Sequence, residues 1–206
     1  MIKMADVVAL PRGVHLFLRT RRLLPVAVAS ACASFALGLA RDLTVKVPFA
    51  PDTTTVDLFL LSPLIAAVLA GPTLEAHLAP YEAMARHRMM WLRGIQLAVV
   101  LLVVLAMAVP FGGKPVTEAP SLARNGLLLL ALVLAWGVLV DVQTAWLPAV
   151  LYAALCFYVG KRNVDGAPRH WAVLIRPLDA ETVAVACALF AVAGVLYVVC
   201  GPRGGA

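Results

Sequence analysis

Side chains that could support catalysis or bind a metal ion are few in this chain, and they are scattered. The histidines and cysteines are His15, His77, His87, His170, Cys32, Cys156, Cys187 and Cys200. His77 and His87 share one polar segment, but a zinc site needs more ligands than two. The cysteines lie within or at the end of apolar runs without metal-ligand spacing, which favours a role in packing. We therefore expect no metal site.

Motifs of known catalytic sites are also missing from the sequence. It has no phosphate-binding glycine loop, no HExxH and no GxSxG. No nucleophile lies beside a base within an apolar run, as covalent catalysis would require. The chain is therefore predicted not to be an enzyme and to hold no cofactor of its own.

The elements that carry these residues are long and apolar. Hydrophobic residues make up 63% of the chain, against roughly 45–50% in soluble domains, and the mean hydropathy is +0.94. Six runs approach the length that a helix needs to cross a bilayer. They are residues 23–40, 55–71, 91–111, 122–140, 142–160 and 181–200. The prediction is an all-α, polytopic membrane protein with six transmembrane helices, in which residues 1–206 form a single transmembrane domain.

Prolines and small residues add detail to these spans. Pro63 lies inside the second span and Pro148 inside the fifth, and each is predicted to kink its helix because proline lacks a backbone donor. The first and sixth spans are rich in alanine, serine and glycine. Small residues let helices approach closely, so these two spans are predicted to pack tightly.

No Asp, Glu, Lys or Arg lies at the middle of any span. The charged and polar residues toward the span ends are Asp57, Arg93, Arg124, Asp141, Gln96, Asn125 and Thr144. Ion-coupled transporters usually place such groups at mid-membrane, so the pattern argues against a secondary transporter. The net charge is +6, from 17 Lys and Arg against 11 Asp and Glu. In a membrane protein this charge favours contact with lipid headgroups, and no nucleic acid is expected.

The amino-terminal segment, residues 5–22, is predicted to form an amphipathic helix that lies in the membrane interface. One helical stripe there is apolar, and a second stripe is basic. The basic stripe consists of Arg12, His15, Arg19 and Arg22. A positively charged leader that only sets orientation is the alternative.

The segment between spans two and three is the most structured polar part of the chain. Thr73 can cap a short helix, and Glu82 stands four residues before Arg86, so the two can pair. Arg86, Arg88 and Arg93 predict a cytoplasmic location by the positive-inside rule.

With six spans, both termini would then be cytoplasmic, in the cell membrane. The loop of residues 161–180 would lie outside although it is basic, with Trp171, Leu174 and Ile175 able to rest a short helix on the outer interface.

The order of these parts, and the segment GPTLEAHLAPYEAMARHRMMWLRG, resemble the membrane subunits of type-2 ABC exporters. Thr73, Leu74, Glu75, Leu78 and Pro80 carry the likeness to the coupling-helix region of that family. The resemblance implies that residues 5–22 are the connecting helix and that ATP binds to a separate ATPase subunit. It also implies pairing as a homodimer or with a related membrane subunit. The implied docking residues are Thr73, Leu74, Glu75, Leu78, Tyr81, Glu82 and Arg86.

Two other functions stay open at this point. A structural or accessory membrane protein, which scaffolds or protects a membrane complex without transport, fits the polar-poor spans equally well. A membrane enzyme acting on lipid would need a catalytic constellation that the sequence does not contain. The substrate of an exporter is not indicated by any residue pattern.

Overall fold

The computed structural model describes residues 23–39, 44–46, 55–57, 61–74, 86–107, 119–160 and 168–203. The helices are α1 (Leu23–Leu39), α2 (Ser62–Ala70), α3 (Arg86–Met107), α4 (Ala119–Leu139), α5 (Leu147–Val159) and α6 (Ala180–Cys200). Two 3₁₀ turns, Gly71–Leu74 and Val173–Ile175, precede α3 and α6 respectively. The described residues are thus mostly helical, with one antiparallel ribbon among them, formed by β1 (Thr44–Lys46) and β2 (Thr55–Asp57), in which Val45 pairs with Val56.

Three of the helices are long and apolar enough to cross a bilayer. The 21 residues of α4 and of α6 span about 31 Å at 1.5 Å per residue, close to the thickness of the hydrocarbon core. In α3 the apolar stretch is Met89–Ala106. These three helices indicate a membrane protein. In contrast, α5 has only 13 residues, or about 20 Å.

The second predicted span and both predicted kinks are corrected by the structure. Residues 55–57 form a strand, so the helix predicted to begin at 55 begins instead at Ser62. Pro63 and Pro148 lie in the first turns of α2 and α5. A proline in the first turn sacrifices no helical hydrogen bond, because that amide has no intrahelical partner. Both prolines therefore begin a helix and do not kink one.

Packing is centred on α4. It is the most buried of the three long helices, it packs most extensively against α6, and it also contacts α2, α3 and α5. Leu129, Leu130, Val133 and Leu134 are fully buried in this core. The close packing predicted for the sixth span is found along one face of α6, where Ala186 and Ala193 are buried. Its other face is exposed and apolar, as a helix facing lipid requires.

Two separate sets of contacts join the helix ends, one at each end of the bundle. At the first end, the start of α3 meets the end of α6, and residues 201–203 hydrogen-bond to the end of α4 and the following turn. At the second end, the starts of α4 and α6 meet around residues 168–179. Trp91 and Trp146 are exposed at the first end and Trp171 at the second. Tryptophan is enriched where a membrane meets water, so both ends match interface positions.

Candidate functional site

A buried polar network ties the predicted docking segment to the last helix at the first end. Gln96, on α3, is 0% exposed. Its Nε2 donates to the carbonyl of Thr73, and its Oε1 accepts from the hydroxyl of Tyr197, on α6, at 2.9 Å. The Thr73 hydroxyl donates to the carbonyl of Ala70 at 2.6 Å, closing the end of α2. We call Thr73, Gln96 and Tyr197 the Gln96 network.

Arg93 supports the same end from one helical turn away. Its Nη1 donates to the carbonyl of Val198 at 3.4 Å, where a cation also complements the negative end of the helix dipole. Gly201 follows with φ of 76°, and a Cβ there would lie 2.5 Å from Nη2 of Arg93. Only glycine lets the chain leave α6 beside this guanidinium.

Backbone hydrogen bonds complete the first end. The amide of Arg203 donates to the carbonyl of Gly137 at 2.8 Å, and the amide of Val142 donates to the carbonyl of Arg203 at 3.0 Å. Nη1 of Arg203 donates to the carbonyl of Leu139 at 3.0 Å. The ends of α4 and α6 are thereby joined.

The structure gives three outcomes for the residues predicted to dock on a partner. Thr73 and Leu74 are buried, so their side chains brace the bundle. Arg86 is the first residue of α3. Glu75, Leu78, Tyr81 and Glu82 lie outside the described residues, as do the interfacial-helix residues Arg12, His15, Arg19 and Arg22. Docking through this segment stays a prediction.

A second buried network lies at the other end, around a cation. Arg124, in the second turn of α4, is 1% exposed. Its guanidinium donates to the carbonyls of Val173 (2.7 Å), Arg176 (3.0 Å) and Pro177 (3.0 Å). It also donates to the hydroxyl of Thr182 at 3.1 Å and to Oδ1 of Asn125 at 3.1 and 3.2 Å.

Every oxygen that accepts from Arg124 is formally neutral. A buried cation is costly unless hydrogen bonds or a counter-ion compensate it, and here hydrogen bonds do so. Asn125 adds a bond from Nδ2 to the carbonyl of Leu174 at 3.0 Å. We call Arg124, Asn125 and Thr182 the Arg124 network. Its chemistry is positional, because an arginine stays protonated and offers only donors.

Asp179 fixes the start of α6 beside this network. Its Oδ1 accepts from the amide of Thr182 at 2.6 Å, which is an N-cap, and its Oδ2 lies 3.0 Å from Nη2 of Arg176. The hydrogen bonds from Thr182, and then the charge of Arg176, hold the pKa of the Asp179 carboxyl below its usual range. The carboxylate therefore stays ionised and keeps the residues before α6 in place.

The cleft among the described helices is apolar. The cleft between α1, α2 and α3 is lined by valine and alanine side chains and by Ser30. Within the part of the chain that the structure describes, no group of three His, Cys, Asp or Glu side chains could hold a metal ion. The two networks are thus the main polar features of the described bundle, and both act between helices.

In the sequence, Gln96, Arg124 and Asn125 are recognisable only as polar residues near span ends. Apart from the contact between the neighbours Arg124 and Asn125, their partners lie 23 to 101 residues away, and many are backbone carbonyls, which no side-chain pattern reveals. The available signal was their position, since an arginine early in an otherwise apolar helix must find acceptors. No family model, curated protein or solved structure matches the chain, so its function has to be argued from this geometry.

Proposed function

We propose that this chain is the membrane-spanning subunit of an ATP-driven exporter. A separate ATPase subunit binds and hydrolyses ATP, and it docks on the cytoplasmic segment of residues 73–93, which includes the start of α3. All six helices cross the membrane or dip into it, and the pathway forms between two copies or between this chain and a related membrane subunit. Two lines support this function: the order of parts and the anchoring of the 73–93 loop.

The single observation that carries the proposal is the Gln96 network. A docking segment can transmit a conformational change of an ATPase to the membrane helices only if both ends of the segment are bonded to those helices. Thr73 stands at one end of the 75–85 segment, and Gln96 lies on the helix that follows it. The Gln96 amide binds both the Thr73 carbonyl and the Tyr197 hydroxyl on α6. A movement of the 73–93 segment would therefore be passed on to the last helix.

The basic residues support an orientation with the first end in the cytosol. Arg86, Arg88 and Arg93 lie in the first turns of α3, and Arg203 follows α6 at the same end. The second end also carries basic residues, Arg124, Arg169 and Arg176. The proposed orientation therefore depends on the amino-terminal basic cluster, which usually sets the topology, and both termini are then cytoplasmic.

Co-purification with an ATPase tests the proposal. Glu75→Lys and Glu82→Lys reverse the charge on the loop, and we expect them to release the ATPase from the natively purified complex. Glu181→Lys is the matched control, since Glu181 is exposed at the opposite end. Unchanged co-purification and unchanged nucleotide turnover in both loop variants would refute docking through this loop.

A non-transporting scaffold is the second candidate function. It is favoured by the use of Gln96, Arg124 and Asn125 in bracing and by the apolar lining of the cleft. A scaffold would keep its membrane partner in the presence or absence of nucleotide. Loss or gain of the partner on addition of ATP therefore separates the two functions.

A further inference from the structure

Residues 168–179 close the second end of the bundle. Because α5 is short, this segment covers its end: Ala172 and Leu174 are buried in the same core cluster as Cys156. The Cys156 thiol is in hydrogen-bond contact with the Tyr152 hydroxyl and the backbone of Leu174. Cys156 therefore lies directly beneath the segment and is 0% exposed.

The segment has little structure of its own to hold it there. Its only regular part is the three-residue turn Val173–Ile175. Outside the Arg124 network it is held by the amide of Arg169 on the carbonyl of Gly160 at 2.9 Å. The Tyr152 hydroxyl also donates to the carbonyl of Trp171 at 2.7 Å and accepts from the amide of Val173 at 3.3 Å. The Arg124 guanidinium, by comparison, binds three carbonyls of the segment at once.

Gly160 provides the space in which the segment sits. A Cβ at this position would meet the backbone carbonyl of Cys156, and it would lie 2.7 Å from Cβ of Ala172 and 2.8 Å from Cδ1 of Ile175. Those separations are shorter than such atoms can approach. Glycine at 160 therefore lets the last turn of α5 and the segment pack against each other at this point.

If the segment opened, its hydrogen bonds to protein groups would be replaced by hydrogen bonds to water, and no ion pair would break. The guanidinium and the carbonyls it binds would each gain water, and protein–water bonds largely replace protein–protein bonds in free energy. Hydration of the guanidinium and of the carbonyls would thus offset part of the cost of losing these hydrogen bonds.

We propose that residues 168–179 are a latch over the second end of the bundle, and that Arg124 is the residue that locks it. When the latch lifts, water reaches Tyr152 and Cys156. This inference does not depend on the ATPase or on transport, since it concerns the opposite end of the molecule.

Cys156 is a built-in reporter for the latch. The full chain, with Cys32, Cys187 and Cys200 changed to alanine, is reconstituted in lipid nanodiscs and treated with a charged, water-soluble methanethiosulfonate. We expect slow labelling of Cys156 in this background. Arg124→Gln should accelerate labelling at least tenfold. Gly94→Ala is the matched control, because no atom lies within 4 Å of a Cβ placed there, and it should label at the background rate.

A second cysteine separates opening of the latch from unfolding. Ala186→Cys, introduced with Cys156 changed to alanine, places a thiol in the α4–α6 contact, where Ala186 is 0% exposed. It should stay protected in the Arg124→Gln variant. Labelling at position 186 in step with position 156 would overturn the proposal, and so would background-rate labelling of Cys156 in the Arg124→Gln variant.

Discussion

Replacing Gln96 by leucine tests whether the polar network at the first end holds the helices together. The change removes the donor to the Thr73 carbonyl and the acceptor of the Tyr197 hydroxyl, and leucine fills a similar volume. Hydrogen bonds between membrane helices contribute about 0.6 kcal/mol on average and up to about 1.7 kcal/mol. Loss of two bonds should therefore lower the free energy of unfolding by about 1–3 kcal/mol.

The assay is a double-mutant cycle in mixed micelles, with helicity followed by circular dichroism as denaturing detergent is added. Tyr197→Phe removes the same hydroxyl bond from the other side. If the bond exists, the two changes should be non-additive by about 0.6 kcal/mol, above the scatter of independent sites. Gln143→Leu is the control, since Gln143 is exposed in the turn after α4. Strict additivity of Gln96→Leu and Tyr197→Phe would refute the reasoning.

Three further predictions follow from the helix ends. Gly201→Ala should cost about 1–3 kcal/mol of unfolding free energy, because it strains a backbone conformation reserved for glycine and meets Arg93; a thermal unfolding midpoint equal to that of Gly94→Ala would contradict this. Pro148→Ala should lower the free energy of unfolding by less than about 1 kcal/mol, since the proline begins α5. A much larger loss, measured by unfolding in detergent, would contradict this position of the proline in the helix. Asp179 has a lowered pKa, so its contribution to stability is present above the unfolded pKa of about 3.9 and is lost as pH falls through the folded value. Asp179→Asn should make the unfolding midpoint depend less on pH between pH 5 and pH 3 (about one unit either side of that pKa). A pH dependence equal to that of the unchanged protein would count against the N-cap.

The three long helices could be predicted from hydropathy because their length and composition are local properties. The starts of α2 and α5 could not be placed by that reasoning, since an apolar run does not distinguish a strand or turn from a helix. The prolines in these two runs indicate where each helix begins. Pro63 and Pro148 were interpreted as interruptions, yet proline is well tolerated in a first turn, and both helices begin there.

The candidate site was predicted less well than the fold. Thr73 was singled out as a helix cap for a docking segment, whereas its hydroxyl binds the helix that precedes it and its carbonyl binds Gln96. Arg124 and Asn125 were noted without a role. Their acceptors belong to residues 173–182, and only the three-dimensional packing of α4 against α6 brings these residues together.

The shortness of α5 has a consequence for the surrounding lipid. Leu151 and Leu155 are exposed on this helix, which is about 10 Å shorter than α4 or α6. A bilayer adapts to a short apolar surface by thinning locally. The annulus of lipid around the protein would therefore be uneven, with acyl chains compressed beside α5 and relaxed beside α6, and shorter-chain lipids would be enriched along that one flank.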